Sequence, residues 1–467
     1  GYYDLKAWIS QPNAGTDPYT LNDTLSDFFT SCMSGVYTVG DTTGGASYDF
    51  TSISKAVKGL KQAGICGPVS IEMATGNYTV DHINLTQIEG SSTTNTVTFT
   101  SITGNMNDVT ISANQNYVFQ LNGTDNLFFE HLTLATLGNN TEKRIIKMIN
   151  NNKVSFSSCT FNGVQSTTTS SNYTLIYEYG TGSDSVAVDS CTFNNGSYGF
   201  VLSGSSTNKH KALIVSNSTF NSQYYRAVYA SQMINTVFEN NTINGDQLHT
   251  DGVYLTSNTH FRIAGNTMTG MDKAIEVSSS DGTSAQKQQI INNMIQGVGT
   301  GIKVGLGLDY IDVLHNTVKV NGSSTSYGST FYAYSYTNYG NVYANNIFIQ
   351  EGSGYAVYIS GSSTTSAVFS HNNYYSSGAN LIQNSGSYAT LTSYQQFNLA
   401  DSNSVSYDVV FSGTNDLHCV DARLNGIADT TYNVLTDIDG ESRDLVYPDM
   451  GADEFTPMAV DMKAVEF

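Results

Sequence analysis

Charged residues are scarce in this chain of 467 amino acids. Asp, Glu, Lys and Arg make up 12% of the sequence, whereas 42 residues are Gly and 31 are Tyr, and Ser, Thr and Asn are abundant. This composition argues against a helical protein and is typical of β-structure with many turns. The content of aromatic and β-branched residues also excludes a disordered chain.

Positive charge is especially rare. The chain has 19 Lys and Arg residues against 39 Asp and Glu residues, which gives a formal net charge of −20. A surface of this sign repels phosphate backbones, so we expect no nucleic-acid partner. It also disfavours tight docking of polyanionic polysaccharides unless a local basic patch overrides the overall field.

Long apolar runs are missing as well. Because no run reaches the roughly 18 apolar residues of a transmembrane helix, the sequence predicts no membrane span. No signal peptide is visible. The chain starts with Gly1 rather than Met, so we expect a processed or excised piece of a larger protein.

Cysteine is sparse, with five residues, too few for a disulfide scaffold. Cys32 and Cys66 flank the first folded stretch and can pair if the protein is extracellular. Cys159 and Cys191 lie in two copies of the phrase Ser-Cys-Thr-Phe, and stacked on adjacent coils they are close enough to bridge. We favour buried thiols for this second pair, because side chains stacked in register point the same way.

One short phrase recurs between about residues 235 and 374. It puts an asparagine in one column, at steps of 25, 27, 23, 30 and 26 residues by subtraction of neighbouring numbers. The members of this column are Asn241, Asn266, Asn293, Asn316, Asn346 and Asn372. A period of about 20 to 30 residues with several short β-rich runs in each period indicates a solenoid.

The type of solenoid follows from the residues around each asparagine. The neighbouring runs are β-rich, and Leu is missing from the fixed sites that a leucine-rich repeat requires. We therefore predict an all-β fold, a right-handed parallel β-helix of roughly ten to twelve coils. Coils pair about 4.8 Å apart, so each buried Asn can hydrogen-bond the Asn above and below it. The column is then an internal, structural Asn ladder without a catalytic role.

Four parts are predicted along the chain. They are residues 1–34, a terminal β-strand segment, either part of an immunoglobulin-like module or strands shared between subunits; 35–80, the N-terminal cap; 81–455, the parallel β-helix with a closing motif; and 456–467, a C-terminal linking strand. The cap contains a predicted helix over residues 51–63, whose apolar face would protect the open end of the solenoid. That face comprises Ile53, Ala56, Val57 and Leu60.

The two ends of the chain carry a similar phrase, in which Asp, an apolar residue, Lys and Ala follow in the same order. It comprises Asp4, Leu5, Lys6, Ala7 and Trp8 near the start, and Asp461, Met462, Lys463 and Ala464 near the end. One explanation is coincidence over four residues. The other is head-to-tail self-association or a neighbouring domain of a longer chain, because a strand that adds to an open sheet edge joins subunits.

The closing phrase has the pattern DxDGxxR from Asp437 to Arg443, followed by PDMGADEF up to Phe455. Together with Tyr37–Gly40 and Gly64–Val69, it resembles secreted right-handed parallel β-helix proteins of the Bacteroidetes type. The resemblance covers roughly residues 35–455 and implies a secreted or cell-surface location in large proteins exported with a sorting tail. The strand near the N-terminus is similar to immunoglobulin-like modules that adjoin such β-helices. The resemblance implies no particular activity.

Aligning the strands between the asparagine phrases gives two columns of side chains that we expect on the outer surface. The first comprises Tyr198, Arg226, Asp251, Lys273 and Thr300, and the second comprises Val201, Tyr229, Tyr254, Glu276 and Lys303. Charges of opposite sign alternate in the first column, and Glu276 lies beside Lys303 in the second.

Two interpretations of these columns remain open. In the first, they line a polysaccharide groove: tyrosines form sugar platforms, a cation neutralises a uronate, and Tyr254 or Lys273 is the base in a β-elimination, with Asp246 and His249 just upstream. In the second, they are exposed ion pairs, each worth about 0–1 kcal/mol, beside stacked tyrosines. We favour the second. If the protein is an enzyme, the candidate residues are Arg226, Asp251, Tyr254, Lys273, Glu276 and Lys303.

Other chemistry finds less support in the sequence. An inverting glycosidase needs two carboxylates about 6.5–9.5 Å apart, and Asp251 and Glu276 both have basic neighbours in the columns. No nucleophile elbow, Cys–His arrangement, phosphate-binding loop or zinc-ligand spacing is present. His315 and His371 precede ladder asparagines and are predicted to be stacked structural residues rather than metal ligands.

The acidic closing phrase offers hard oxygen ligands but lacks the twelve-residue loop of a calcium-binding hand. Weak calcium candidates are Asp437, Asp439, Asp449 and Asp453. We favour instead a salt bridge from Arg443 to one of these acids or to Glu454, which would close the last coil. No other cofactor is expected.

The sequence thus predicts an extracellular structural or adhesive module that polymerises head to tail through its terminal strands. The alternative is a carbohydrate-active enzyme, most plausibly a polysaccharide lyase, or a glycan-binding protein that uses the face around residues 226–303. Long loops that wall this face would favour an enzyme, and a flat face would favour a scaffold.

Overall fold

The computed structural model describes residues 2–8, 24–43, 45–137, 142–180, 182–246, 249–323, 329–334, 339–361, 367–397 and 401–457. In these residues, successive strands pair in parallel with their counterparts one coil away. The fold is a right-handed parallel β-helix of about 11 turns, which confirms the predicted class and the expected number of coils.

Three strands make up a typical coil, so the β-helix has three faces. The first face is a sheet of 13 strands. They are Met33–Val39, Ile65–Met73, Val97–Ser101, Asp125–Glu130, Asn152–Ser157, Asp184–Asp189, His210–Ser216, Met233–Glu239, Arg262–Ala264, Gln288–Ile291, Ile311–Leu314, Val342–Ala344 and Val368–Ser370.

The second and third faces join into one larger sheet, because two long strands, Thr267–Ser278 and Met294–Val304, run through both. The other strands of the second face are Gly76–Val80, Val109–Ala113, Thr133–Thr136, Thr160–Asn162, Thr192–Asn194, Thr219–Asn221, Thr242–Asn244, Thr317–Val320, Ile347–Gln350 and Asn373–Ser376. Those of the third face are Ile83–Thr86, Phe119–Asn122, Ile146–Ile149, Thr174–Tyr179, Tyr198–Ser203, Arg226–Ser231, Asp251–Thr256, Phe331–Tyr334, Val357–Ser360 and Ile382–Asn384.

Stacking in register fills the core with rows of equivalent side chains. On the second face, the rings of Phe161 and Phe193 are stacked with centroids 4.6 Å apart, and those of Phe193 and Phe220 follow at 4.7 Å. All three are buried. The one-coil spacing of a parallel sheet thus brings side chains 27 to 32 residues apart in sequence into direct contact.

The asparagine column lies at the corner between the first and second faces, as an internal ladder. The backbone N–H and the side-chain Nδ2 of Asn266 both donate to Oδ1 of Asn293, at 3.1 and 2.9 Å, and Nδ2 of Asn293 donates to Oδ1 of Asn316 at 2.9 Å. The residue before each asparagine has a left-handed backbone, for example Asn292 with φ of 52°, which Asn and Gly adopt readily. The predicted Asn ladder is confirmed.

Smaller polar side chains continue this ladder towards the N-terminus. The backbone N–H of Cys191 donates to Oγ of Ser218 at 3.1 Å, and that of Ser218 donates to Oδ1 of Asn241 at 2.9 Å. Cys159 and Cys191 are both buried and free. The prediction that these two cysteines are stacked thiols in the same column is confirmed.

A helix, Ile53–Ala63, packs against the first coil. The side chain of Ser52 accepts a hydrogen bond from the backbone N–H of Lys55, and Gly64 ends the helix with φ of 63°. The predicted apolar face is buried, and a disulfide joins Cys32 to Cys66 beside it. The strand Met33–Val39 already pairs with the next strand of the first face. The β-helix therefore begins at Met33, within the last two residues of the segment 1–34 that the sequence assigned to terminal strands.

The strand that contains Asp4 to Trp8 forms as Tyr2–Trp8. It pairs antiparallel with Thr24–Thr30 of the same chain, for example Lys6 with Ser26, in a two-stranded sheet. The similar phrase at residues 461–464, with most of the predicted linking strand 456–467, lies outside the described residues.

The C-terminal part of the described chain folds back over the coils. After a second helix, Leu391–Phe397, come a hairpin of Phe411–Gly413 with Asp416–Cys419 and the closing motif. Met450 packs against Ile347, and the backbone N–H of Ala452 donates to Oγ1 of Thr317 at 2.9 Å. None of the helices that the structure describes has the length and apolar character to cross a membrane.

The predicted salt bridge of Arg443 to an acid of the closing phrase forms, but its predicted role in closing the last coil needs a correction. Its Nη1 does lie 3.3 Å from Glu454, but its Nη2 donates to Oδ1 of Asn292 at 3.1 Å and to the carbonyl of Gly451 at 2.9 Å. Asn292 lies several coils before the end of the helix. Arg443 therefore fastens the closing segment to the side of the solenoid and does not close the last coil, because the segment doubles back along the coils.

Candidate functional site

The third face carries both predicted outer columns in the expected register. Arg226 pairs with Asp251, which pairs with Lys273, and Lys273 pairs with Thr300 on the next coil. In the second column, Tyr254 pairs with Glu276 and Glu276 with Lys303. The alignment of short sequence phrases therefore placed these side chains on the correct coils.

The second column is longer than the sequence alignment suggested. We call it the tyrosine column; its members are Asn84, Gln120, Lys147, Tyr177, Val201, Tyr229, Tyr254, Glu276, Lys303, Tyr332, Tyr358 and Gln383. The rings of Tyr229 and Tyr254 are stacked with centroids 5.5 Å apart, and those of Tyr332 and Tyr358 are stacked at 5.1 Å. The sequence alignment started this column at Val201 and left out Tyr177. Tyr177 lies in the strand Thr174–Tyr179, whose coil is less regular than the later ones.

Asp251 lies between two cations on neighbouring coils. Its Oδ2 is 3.1 Å from Nε of Arg226, and its Oδ1 is 3.4 Å from Nζ of Lys273. Burial raises the pKa of Asp251, while Lys273 and Arg226 oppose that rise. Burial alone would lower the pKa of Lys273, but Asp251, Asp272 and Glu276 raise it above its usual value.

These ion pairs are more buried than expected. The side chain of Asp251 is 6% exposed and that of Arg226 is 14% exposed, while those of Glu276 and Lys303, whose charged atoms are 2.8 Å apart, are 17% and 18% exposed. The expectation of an exposed ladder was wrong because the large rings beside these groups cover them. The guanidinium carbon of Arg226 lies 4.4 Å from the ring centroid of Tyr254.

A cleft of about 410 Å³ opens beside this cluster. Its lining comprises Ser171, Tyr177, Tyr179, Tyr198, Val201 and Tyr229. A short 3₁₀ turn, Ser171–Tyr173, begins in the lining and leads into the strand Thr174–Tyr179. Burial raises the pKa of Tyr198 to about 12, so its hydroxyl stays protonated at neutral pH. The cleft lies on the N-terminal side of the range 226–303 that the sequence singled out.

Asp246 and His249 lie in the turn that precedes the strand Asp251–Thr256. Oδ1 of Asp246 accepts hydrogen bonds from the backbone N–H of His249 at 3.1 Å and from Oγ1 of Thr250 at 3.2 Å. The imidazole of His249 lies against the ring of Tyr224, with centroids 5.0 Å apart. These contacts shape the turn that leads into the strand Asp251–Thr256.

The four calcium candidates of the closing motif fall into two groups. Asp437 and Asp449 accept backbone N–H groups on both carboxylate oxygens, for example those of Glu454 and Phe455. Asp439 and Asp453 instead converge with His418, with one ligand atom from each within 4.8 Å of the others. His418 is therefore the residue that sequence reasoning missed here, and calcium binding stays a prediction.

In the part of the chain that the structure describes, His315 and His371 are corner residues with left-handed backbones. Nε2 of His315, which is buried, lies 2.8 Å from Nδ2 of Asn345. Nδ1 of His371 lies 2.7 Å from Oγ of Ser370. Their placement beside the ladder agrees with the structural role predicted for them.

Comparison with known protein families gives one partial match. The profile of the family described as "Periplasmic copper-binding protein (NosD)" matches residues 136–343, which is less than half of the chain. No curated protein matches the sequence significantly.

Several solved structures match this chain at low TM-scores. Pectate lyase Pel9A is 14% identical, with a TM-score of 0.47 over 92% of this chain and 98% of its own. The lacto-N-biosidase of Eubacterium ramulus is 9% identical, with a TM-score of 0.47 over 80% and 67%. The A-module of the mannuronan C-5 epimerase AlgE4 of Azotobacter vinelandii is 16% identical, with a TM-score of 0.37 over 71% and 89%. Likenesses of this size carry no argument about activity.

Proposed function

We propose that this chain is a glycan-binding β-helix module whose binding surface is the cleft and tyrosine column of the third face. The observation behind the proposal is the cleft of about 410 Å³. Tyr177, Tyr198 and Tyr229, which lie on successive coils, line it together with Tyr179. Tyrosine offers an apolar ring face together with a hydroxyl group, and these are the two features that a sugar ring requires of its partner.

The spacing of the column supports this proposal. Coils lie about 4.8 Å apart, which is close to the length of one sugar residue in an extended chain. Tyr177 and Tyr229 belong to the same column with Val201 between them. A glycan that lies along the helix axis would therefore meet a ring on alternate coils and the smaller Val201 between them.

The contacts of the charged residues favour binding over β-elimination. The base of a lyase must be deprotonated when it accepts the proton, whereas the ammonium group of Lys273 lies 3.4 Å from Asp251 and 3.5 Å from Asp272. These carboxylates raise the pKa of Lys273. Arg226 is held by Asp251 in the same cluster. We therefore expect no unsaturated ends to form when the protein is incubated with uronate polymers.

A binding screen with matched variants tests the proposal. Wild-type protein is applied to an array of neutral and acidic polysaccharides, and the affinity of any hit is measured by calorimetry with soluble oligosaccharides. Tyr229→Ala and Tyr177→Ala are expected to weaken binding by about tenfold or more, which corresponds to about 1.4 kcal/mol. Tyr447→Ala, which removes a ring 68% exposed in the closing segment, is expected to bind like the wild type. Equal binding by all variants would reject the cleft as the site.

An extracytoplasmic location fits this proposal. The matching family profile is described as periplasmic, and the Cys32–Cys66 disulfide is a bond that persists in oxidising compartments. Secretion or display at the cell surface stays part of the proposal. Detection of the protein in the culture medium or on intact cells of its source would test it.

Head-to-tail assembly is a second proposal. In the two-stranded sheet of Tyr2–Trp8 and Thr24–Thr30, each strand pairs with one partner only among the described residues, and an open edge accepts a further strand. Negative-stain images of the full chain would show filaments that disappear when residues 1–30 are removed. Separate rods in both samples would reject this proposal.

A further inference from the structure

The cations of the third face between Tyr177 and Lys303 are engaged by carboxylates of the same face. Asp251 holds both Arg226 and Lys273, and Nζ of Lys303 lies 2.8 Å from Oε1 of Glu276. Asp272 adds a second contact to Lys273 at 3.5 Å. Apart from Glu178, which is buried against His210, the charged side chains of this stretch are thus three cations and three carboxylates, and their charges cancel.

Arg144 and Lys147, two further cations near the cleft, do not turn this face into a basic surface. Arg144 forms an ion pair with Glu142, and its guanidinium carbon lies 3.7 Å from the ring centroid of Tyr177. Lys147 lies one coil before Tyr177 in the column, with Nζ 5.8 Å from the ring centroid of Tyr117. A uronate chain along the axis would need cations at regular intervals, and one ammonium group at the border of the cleft does not supply them.

A uronate approaching this face would therefore have to displace an internal carboxylate. The side chain of Asp251 is 6% exposed between its cationic partners, and removing one member of a buried ion pair leaves an uncompensated charge. The formal net charge of −20 adds a repulsive field at long range. Neutral sugars avoid both penalties.

The lining of the cleft offers groups that bind neutral sugars, namely the rings and hydroxyl groups of Tyr177, Tyr179 and Tyr198. The neighbouring column of Ser203, Ser231, Thr256 and Ser278 contributes less, because Ser203 and Ser231 are buried and Oγ of Ser278 donates to Oγ1 of Thr256. Hydroxyl groups both donate and accept hydrogen bonds, so they match the hydroxyls of a sugar without requiring charge.

We propose that the third face selects uncharged glycans that lie along the helix axis with about one sugar per coil, and that its internal ion pairs exclude uronate chains. This inference rests on the proposed glycan-binding function and names its ligand class. It runs against the less favoured of the two interpretations drawn from the sequence, in which a lysine or arginine of this face neutralises a uronate.

The first test compares neutral and acidic oligosaccharides of equal length, for example neutral hexose hexamers and hexagalacturonate, by calorimetry at low and high salt. We expect the wild type to bind a neutral hexamer with an affinity that changes less than twofold with salt, and to bind the uronate at least tenfold more weakly. Salt-sensitive binding of the uronate with equal or higher affinity would overturn the selectivity while supporting glycan binding. Failure of both classes to bind would overturn the proposed function itself.

The second test releases one cation at a time. Glu276→Gln frees Lys303 on the third face, whereas Glu351→Gln frees Lys319 on the second face, where Nζ and Oε1 are also 2.8 Å apart. We expect Glu276→Gln to gain salt-sensitive binding of hexagalacturonate by about tenfold, and Glu351→Gln to gain none. An equal gain in affinity for hexagalacturonate in both variants would mean that the overall charge of the protein excludes uronates. No gain in either variant would mean that the ion pairs do not exclude them. Either result overturns the proposed mechanism of exclusion.

Discussion

The Asn ladder and the tyrosine column are both stacks with one residue per coil, yet their side chains point in opposite directions. Asn293 is fully buried and bonds to the backbone and to its neighbours in the ladder. Tyr229 and Tyr254 stack on each other but remain partly exposed beside a cleft. Periodicity therefore indicates that a column exists, and only the direction of its side chains separates a structural column from a binding surface.

The largest loss of stability is expected from a substitution in the middle of the Asn ladder. Asn316→Ala removes the acceptor of the backbone N–H and Nδ2 of Asn293, and it removes the donor to the carbonyls of Ile290 and Leu314. Each unsatisfied buried group costs about 1–3 kcal/mol, so we expect the free energy of unfolding to fall by about 3–5 kcal/mol. Urea denaturation measures this change. A loss below about 1 kcal/mol would show that the ladder does not stabilise the coils.

The C-terminal end of the ladder gives a prediction about pH. The backbone N–H of Asn372 donates to Oγ of Ser404, which donates to Asp401. Burial raises the pKa of Asp401 to about 7, against opposing hydrogen bonds from Ser404 and Tyr374.

The sign of the effect follows from that shift. Because Asp401 ionises near its usual pKa in the unfolded chain and near 7 in the folded one, its contribution to stability is complete at acidic pH and is lost as pH rises through 7. At about 1.4 kcal/mol per pKa unit, the loss is at most about 4 kcal/mol. Asp401→Asn is therefore expected to have a higher Tm than the wild type at pH 8 and a similar Tm near pH 4. If the difference in Tm between Asp401→Asn and the wild type were the same at every pH, the raised pKa of Asp401 in the folded protein would be contradicted.

A substitution in the tyrosine column should lower the affinity for a glycan more than the stability, which is the reverse of the effect expected in the Asn ladder. Tyr254→Phe removes a hydroxyl group while the ring keeps its stacking on Tyr229 and its contact with Arg226. We expect the free energy of unfolding to change by less than about 0.5 kcal/mol, as for most surface substitutions, and the affinity for a bound glycan to fall by a few-fold. Calorimetry and urea denaturation of the same sample separate the two effects. A stability loss without an affinity loss would make the tyrosine column structural as well.

A much smaller loss of stability than in the Asn ladder is expected in a second asparagine column, on the outer side of the second face. Nδ2 of Asn221 donates to Oδ1 of Asn194 at 3.0 Å, and Oδ1 of Asn221 accepts from Nδ2 of Asn244 at 2.9 Å. These side chains are only partly buried, so water can replace the lost partner. We expect Asn221→Ala to lower the free energy of unfolding by less than about 1 kcal/mol, which makes it the matched control for Asn316→Ala.

Much of the fold was predictable because a parallel β-helix converts sequence spacing into register. The ladder, the capping helix and both columns of the third face followed from short phrases at regular steps. The outer asparagine column was also within reach, since the phrase Thr-Phe-Asn occurs at Thr160, Thr192 and Thr219, and Tyr177 stood in the strand phrase Thr174–Tyr179.

Contacts between distant segments were not predictable in this way. Glu178 and His210 lie buried side by side, with Oε2 and Nε2 3.3 Å apart, although neither belongs to a repeated phrase. The path of the closing segment, which brings Arg443 to Asn292, likewise has no periodic signal, because it packs across the coils rather than within them. The cleft was missed for a related reason, as its wall comes from the irregular coil around Ser171.

The most direct test of the proposed binding surface is a crystal structure with a neutral oligosaccharide bound. We expect sugar rings against Tyr177 and Tyr229, with the chain parallel to the helix axis and its hydroxyl groups bonded to the tyrosine hydroxyls of the cleft. A ligand found on the first or second face, on the closing segment, or across the coils would contradict it.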